Sequence, residues 1–292
     1  MEKTVFVAFV GRPNVGKSSV INSLVDNEVL IVSNKAQTTR NKIAAIQTNG
    51  DEQFVFFDTP GFFKARDLLG RKMLKAIDLA VSDVDVLVFV VEPKMEISIA
   101  EKNLINKFKK LNMPVILAIN KIDLVKNKSE LALVVSNFSS FFVFNSVVFV
   151  SAKNRCGFSD LISEIRKYEV ECAHFFPDNM VTDKSDQFIA SEVFRQNLLL
   201  NLREEIPHSL IVEVDEFKRN KFGLKISVVV YCSKYSHKGI VIGKNGSVLK
   251  KVATQSRKKM ENLFNCRVIL NCWVKVKPKW KQDEKFLKIL EN

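Results

Sequence analysis

Apolar runs of strand length recur through the first half of the chain, at Thr4–Val10, Phe54–Asp58, Val84–Val91, Val115–Asn120 and Val147–Val150, separated by helix-length segments. Unbroken apolar strands alternating with helical patterns predict a parallel sheet covered on both faces. A helix around Phe158–Val170 closes this pattern, and regularity breaks at HFFPDNMVTD (174–183), where Pro177 and Asp178 interrupt it. The pattern then changes: helix Phe188–Arg203, strands Leu210–Phe217 and Leu224–Cys232, a helix, a GKNG loop, helix Ser247–Phe264 and strand Arg267–Lys277. The expected division is a first domain over 1–172, a linker over 173–187 and a second domain over 188–292. The fold class expected is an α/β domain followed by a smaller α+β domain.

Two segments bear on whether the chain enters a membrane or carries a leader. Leu131–Ala152 carries no charge, yet it contains Asn137, Asn145 and five serines, so a helix followed by a buried strand is expected rather than a membrane span. At the start, Val5–Val10 is a short strand-like run ending at Gly11, and no signal peptide is indicated.

The loops that follow the predicted strands carry five short segments in fixed order: GRPNVGKS (11–18), TT (38–39), DTPG (58–61), NKID (120–123) and SAK (151–153). Ligands of open α/β sheets bind at such strand ends. The first segment is a phosphate loop (Gly11, Arg12, Pro13, Asn14, Val15, Gly16), whose backbone N–H groups and following helix N-terminus form an anion site. Lys17 is expected on the β- and γ-phosphates, Ser18 on Mg²⁺, and Ser19 beside them. Asp58 is expected to hold Mg²⁺ directly or through water, and Thr59, Pro60 and Gly61 bring a backbone N–H to the γ-phosphate. One threonine of KAQTTR (35–40), Thr39 in preference to Thr38, completes the Mg²⁺ and γ-phosphate sensor.

Guanine is selected over adenine by NKID. Asp123 accepts from the N1–H and exocyclic amine, Asn120 braces the base edge, Lys121 lies over the ring, and Ile122 sits between them. Ala152, between Ser151 and Lys153, is expected to aim its N–H at guanine O6. A carboxylate left facing an unmatched base costs several kcal/mol, so GTP or GDP is the expected ligand. Phe62 follows DTPG where Ras-like proteins place a water-orienting glutamine, so it is expected as a packing or lid residue and hydrolysis as slow.

Charge separates the two halves. Residues 1–183 hold 23 Lys/Arg against 21 Asp/Glu, whereas residues 184–292 hold 22 against 11, so nearly all of the net +13 lies in the last third. Such a module faces a polyanion. Within it, Ile242, Gly243, Lys244, Asn245, Gly246 and Ser247 join two helices, the second bearing Lys250, Lys251, Arg257, Lys258 and Lys259. A GxxG turn lets backbone approach a nucleic-acid phosphate, and an apolar groove faced by Val241, Ile242 and Leu249 is expected to receive bases. The order helix–strand–strand–helix–helix–strand is that of a type II KH domain. Trp273 is expected in the core, and Trp280 either stacks on a base or caps the domain. Five cysteines without a CxxC pair and three scattered histidines suggest reduced thiols and no metal cluster of their own.

The combination GRPNVGKS, KAQTTR, DTPG, NKID, SAK, HFFPDNMVTD, EEIPHSLIVEV (204–214), GKNG and CWVKVKPKW resembles the Era family of bacterial GTPases, over nearly the whole chain. The resemblance implies a P-loop GTPase domain with a KH domain that binds the 3′ end of 16S rRNA on the 30S precursor. It implies a cytoplasmic protein, loosely associated with the inner membrane, without a stable homo-oligomer. In GTPases with this switch an asparagine at the place of Asn14 helps ligate K⁺, which stands in for an arginine finger; a plain turn residue is the alternative there. Relatives with one switch threonine keep the one before arginine, which favours Thr39. Two departures stand out: Phe62 for a smaller aliphatic residue, and GKNG for a more glycine-rich loop. Another class of function also fits the charge: a membrane or cell-cycle signalling switch whose basic module reads anionic lipid. A tRNA-modification GTPase would need an additional catalytic or folate-binding domain.

Overall fold

The computed structural model describes residues 1–290 apart from Ala36, Lys64, Arg66 and Asn112, and the backbone alone of Lys128, Lys285 and Leu290. Ala36 of the expected switch and the last two residues of the expected second domain, Glu291 and Asn292, thus lie outside the described residues. The chain forms two compact units, Met1–Arg66 with Gly70–Asp183 and Lys184–Asn292 with Asp67–Leu69.

In the larger unit the elements are β1 (Lys3–Val10), α1 (Lys17–Leu24), β2 (Ile43–Asn49), β3 (Glu52–Asp58), α2 (Leu68–Val81, which belongs to this unit from Gly70 onward), β4 (Val86–Val91), α3 (Ile99–Phe108), β5 (Val115–Ile119), α4 (Lys128–Ser139), β6 (Ser146–Phe149), α5 (Phe158–Arg166) and β7 (Val170–Glu171). Strand order is β2-β3-β1-β4-β5-β6, with β7 antiparallel to β1. From β3 to β6 all neighbours are parallel, and β4 is buried at every position, as a central strand between two helical layers requires. One face packs Leu87, Phe89 and Leu117 against Ile77, Leu104, Phe108 and Phe138. Phe89 meets Phe108 edge to face at 5.2 Å, and burying such a ring contributes about 2–3 kcal/mol.

The uncharged segment 131–152 is the end of α4, a loop and β6, and no described helix is long and apolar enough to cross a membrane. The sequence pattern missed β2, which pairs antiparallel with β3 through a turn at Gly50 (φ 61°). Its Asn49-Gly50 dipeptide is a hairpin signal that was available.

The stretch 173–183, expected as linker, instead runs along this unit. Ile46 N–H donates to Val181 O at 3.0 Å, Ala44 N–H to Asp183 Oδ1 at 2.9 Å, and Thr182 Oγ1 to Ala44 O at 2.7 Å. Buried Gln53 accepts from the N–H groups of Phe175 and Phe176 at 2.9 and 3.0 Å. The strap thereby satisfies the open edge of β2.

The smaller unit comprises α6 (Asp186–Asn201), β8 (Leu210–Asn220), β9 (Gly223–Cys232), α7 (Tyr235–Ile242), α8 (Ser247–Phe264), β10 (Val268–Val276) and α9 (Glu284–Leu287). Its sheet runs β10-β9-β8, with β9 parallel to β10 and antiparallel to β8. Alternate β9 residues Leu224, Ile226, Val228 and Val230 join Val252 and Met260 of α8 in the core.

Two expectations change here. Trp273 is half exposed, because it lies on the β10 face away from that core, whereas Trp280 is fully buried and its Nε1–H donates to Ser209 O at 2.9 Å. Val241, expected to face a groove, is fully buried in the core, leaving Ile242 and Leu249 part-buried beside it.

Candidate nucleotide and nucleic-acid sites

The phosphate loop leaves β1 and enters α1 through Gly16, whose φ of 97° is costly for any side chain and whose Cβ would stand 2.3 Å from Asn120 Nδ2. The first turn of α1 holds no acidic residue and no side chain caps it. In α3, by contrast, Ser98 and Glu101 form a full capping box. The free N–H groups of α1 are therefore available to an anion.

Pro13, Asn14, Lys17, Ser18, Thr39 and Gly61 line one cleft, together with Gly16, Ser19 and Thr38. In it, Ser18 Oγ and Thr39 Oγ1 converge on Asp58 Oδ2 at 2.5 and 2.9 Å. Thr38 turns away, its Oγ1 donating to Lys35 O at 2.7 Å. Asp58 Oδ1 is buried without a hydrogen-bond partner, an orphaned carboxylate oxygen beside two hydroxyls. That donor set fits a hard divalent cation.

Lys17 Nζ donates to Arg12 O at 3.2 Å, and burial pushes its amine down to about 8, an effect the nearby Asp58 carboxylate partly reverses. Burial also pushes the Asp58 carboxyl up, against the charge of Lys17 and the hydrogen bonds of Ser18 and Thr39. A buried lysine held short of full basicity is stabilised by an incoming anion.

At the base end, Asp123 Oδ1 accepts from buried Ser151 Oγ at 2.5 Å, and Asn120 Nδ2 donates to Val15 O at 2.8 Å. The Ala152 N–H, expected to aim at guanine, here donates to Asn120 Oδ1 at 3.2 Å. Lys121 takes a left-handed backbone (φ 64°), and its Nζ donates to Asn14 O at 2.7 Å and to Glu92. Ile122 opens a single helical turn that holds Asp123, and Lys153 is exposed. Thr59 is buried with Oγ1 donating to Phe9 O at 2.7 Å, so its side chain braces β3 against β1; Pro60 is buried too. Phe62 packs on the core beside α3, and its N–H donates to Gly11 O at 2.9 Å.

The motifs did not reveal a carboxylate bracket around the phosphate loop. Arg12 Nε donates to Glu101 Oε1 at 2.8 Å, and Arg12 Nη2 lies 3.5 Å from Glu92. Burial works to raise the Glu92 carboxyl, but Lys121 and Lys94 outweigh it and hold the group below the usual carboxylate range. The sequence signal was the Ser98-x-x-Glu101 capping box.

In the smaller unit Gly243 (φ 76°) ends α7, and a Cβ there would strike Val248 Cγ2 at 2.5 Å, so the chain turns on glycine. Lys244, Asn245 and Ser247 are exposed, Ile242 and Gly246 less so. Gly246 precedes α8, whose N-terminus has no side-chain cap and no acid in its first turn. Lys250, Lys251, Arg257 and Lys258 follow on its solvent face.

The chain resembles known proteins in both units. The family described as 50S ribosome-binding GTPase matches residues 6–121, and the KH domain family matches residues 205–281. The GTPase Era of Clostridium kluyveri is 40% identical over 292 residues, covering 99% of both chains. That of Coxiella burnetii is 40% identical over 286 residues, covering 98% of this chain and 96% of its own. The crystal structure of Era in complex with MgGDPNP and nucleotides 1506-1542 of 16S ribosomal RNA superposes with a TM-score of 0.96 at 30% identity, covering 99% of each chain. A variant of Aquifex aeolicus Era bound to GDP.AlF4- gives a TM-score of 0.95, again at 30% identity, covering 99% of this chain and 98% of its own. With a P-loop nucleotide domain, a KH domain and relatives aligned from end to end, the chain belongs to the Era family of GTPases.

Proposed function

We propose that the chain is a GTP-switched RNA-binding protein that acts on the 3′ end of 16S rRNA during assembly of the small ribosomal subunit. The observation that carries this reading is the exposed GKNG loop feeding the uncapped N-terminus of α8, in a basic module whose relative Era was solved with that RNA. Backbone N–H groups of the loop and Lys244 would hold phosphate, and Lys250, Lys251, Arg257 and Lys258 would extend the contact along α8.

For the nucleotide, Lys17 and the N–H groups of the phosphate loop bind phosphate, and Asp123 with Asn120 reads guanine. Ser18, Thr39 and Asp58 are the residues that would hold Mg²⁺, which when bound offsets charge on the β- and γ-phosphate oxygens. Asn14 would ligate K⁺, and hydrolysis is slow because Phe62 orients no water. A cytoplasmic setting, a 30S precursor as partner and loose contact with the inner membrane belong to the same reading.

The test is binding of an RNA oligomer with the 16S 3′-terminal sequence, against a scrambled oligomer, at two salt concentrations. The expected result is a preference for the native sequence that persists at the higher salt and is lost in a Lys244→Asp/Asn245→Asp variant. Equal affinity for scrambled RNA and for anionic vesicles would leave only charge, and the reading would fall.

A further inference from the structure

Strand β4 lies between β1, whose loop is the phosphate loop, and β5, whose loop carries NKID. The first residue beyond β4 therefore stands between the two halves of the nucleotide site, and that residue is Glu92. Pro93 after it restricts the Glu92 backbone to the extended region, and Lys94 N–H closes a tight turn on Glu92 O at 2.8 Å. The carboxylate is thereby fixed at the strand end, with its side chain only 15% exposed.

Both of its oxygens face cations, and each neighbouring loop supplies one. Oε1 accepts from Lys121 Nζ of NKID, and Oε2 lies 3.5 Å from Arg12 Nη2 of the phosphate loop. The Lys121 ammonium makes a second bond, to Asn14 O at 2.7 Å, and so clips one loop onto the other. A lysine held by a carbonyl alone keeps much of its rotamer freedom, which a carboxylate on the same ammonium removes. Arg12 O in turn accepts from Lys17 Nζ at 3.2 Å, so the bracing extends to the lysine that meets phosphate. Lys94, 63% exposed, pairs with Oε2 at 2.7 Å but is the outermost of the three cations.

By charge alone, a carboxylate beside an anion site repels the ligand. Arg12 does not require this one, because Glu101 already takes its guanidinium at 2.8 Å. Lys121, by contrast, has no other acidic partner among the described residues.

We propose that Glu92 is a positioning residue for the guanine nucleotide: it fixes the Lys121 ammonium against the phosphate loop, so that base and phosphate are held by one rigid body and GDP leaves slowly. This rests on the reading of the phosphate loop and NKID as the two halves of a guanine-nucleotide site. Glu92 then sets the residence time of the nucleotide, while Asp123 keeps the choice of base. Positioning and bare charge predict effects of opposite sign.

The experiment follows release of fluorescently labelled GDP from the full chain, with Mg²⁺ present, after a chase of unlabelled GDP. Glu92→Gln keeps the shape and removes the charge; release should quicken about tenfold, with association no slower. Glu92→Asp, whose charge is drawn back by one methylene, should fall between, and Lys94→Ala should release GDP as the wild type does. Lys121→Met should also quicken release. Adding Glu92→Gln to it should change the rate by less than about twofold, because the carboxylate acts through the ammonium. Unchanged or slower release in Glu92→Gln overturns the proposal, slower release being the mark of a carboxylate that only repels phosphate. A full effect of Glu92→Gln in the Lys121→Met background overturns it as well. So does a urea titration showing lowered stability beside wild-type release, which would make Glu92 a residue of the fold alone. A wild-type chain that bound ADP as tightly as GDP would instead sink the guanine reading, a distinct result.

Discussion

Arg12 Nε donates to Glu101 Oε1 at 2.8 Å, joining the phosphate loop to the capping box of α3 through a carboxylate only 2% exposed. The other Glu101 oxygen accepts from Ser98 N–H at 2.8 Å and Ser98 Oγ at 2.6 Å. Glu101→Gln keeps the shape and most of the cap but removes the charge facing Arg12. We expect the guanidinium to loosen, GDP affinity to fall about tenfold, and stability to fall by about 2 kcal/mol. Calorimetric binding and urea titration check the two effects separately, and full affinity in a destabilised variant would make Glu101 a stability residue alone.

Lys17 carries the pH dependence. Its amine, pushed down to about 8 from an ordinary 10.5, binds a proton more weakly folded than unfolded. Between those values the unfolded chain holds more protons, so this group's contribution to stability rises with pH across the window when no nucleotide is bound. Bound phosphate restores the proton, so affinity for GDP should fall as pH rises above about 8. Calorimetry at about pH 9 in two buffers of different ionisation enthalpy should show proton uptake, and far less at about pH 7. Buffer-independent heats at the higher pH would contradict the shift.

Potassium separates two roles for Asn14. Its side-chain Nδ2 donates to Asn34 O at 3.0 Å and its backbone is left-handed, φ 65°, so a turn residue alone accounts for the geometry. If it also ligates K⁺, GTP hydrolysis should run several-fold faster in K⁺ than in Na⁺, and Asn14→Asp, which tolerates the same backbone, should change that ratio. Equal rates in the two salts would leave Asn14 its turn role.

The two tryptophans give a stability contrast. Trp280→Ala empties a fully buried site and removes one of two donors to Ser209 O, leaving Ser233 Oγ at 3.1 Å, and should cost about 3–5 kcal/mol. Trp273→Ala removes a half-exposed ring and should cost under about 1 kcal/mol. Urea midpoints of the two variants decide it.

What could be read without coordinates follows from physical locality. Glycine loops and the NKID and GKNG segments are contiguous, so the segments were legible, as were the strands of the parallel sheet, whose central positions are apolar. The strap over β2 was not, because its bonds join residues more than a hundred positions apart, such as Thr182 to Ala44. Alternation along β10 shows two faces but not which one is covered, and Trp273 lies on the uncovered one for that reason, whereas Trp280 follows the strand in a short helical turn whose burial no local pattern signals. Arg12 and Glu101 lie 89 positions apart, and the capping box signals a helix start without naming its long-range partner.

The measurement that bears most directly on a nucleotide-switched RNA binder is linkage. Affinity of the full chain for the 3′-terminal 16S oligomer should be at least fivefold higher with a GTP analogue than with GDP, about 1 kcal/mol of coupling. By reciprocity the same oligomer should raise affinity for the analogue over GDP by the same factor. Equal RNA affinity in both nucleotide states would contradict the switch while leaving the chain a GTPase with a KH domain.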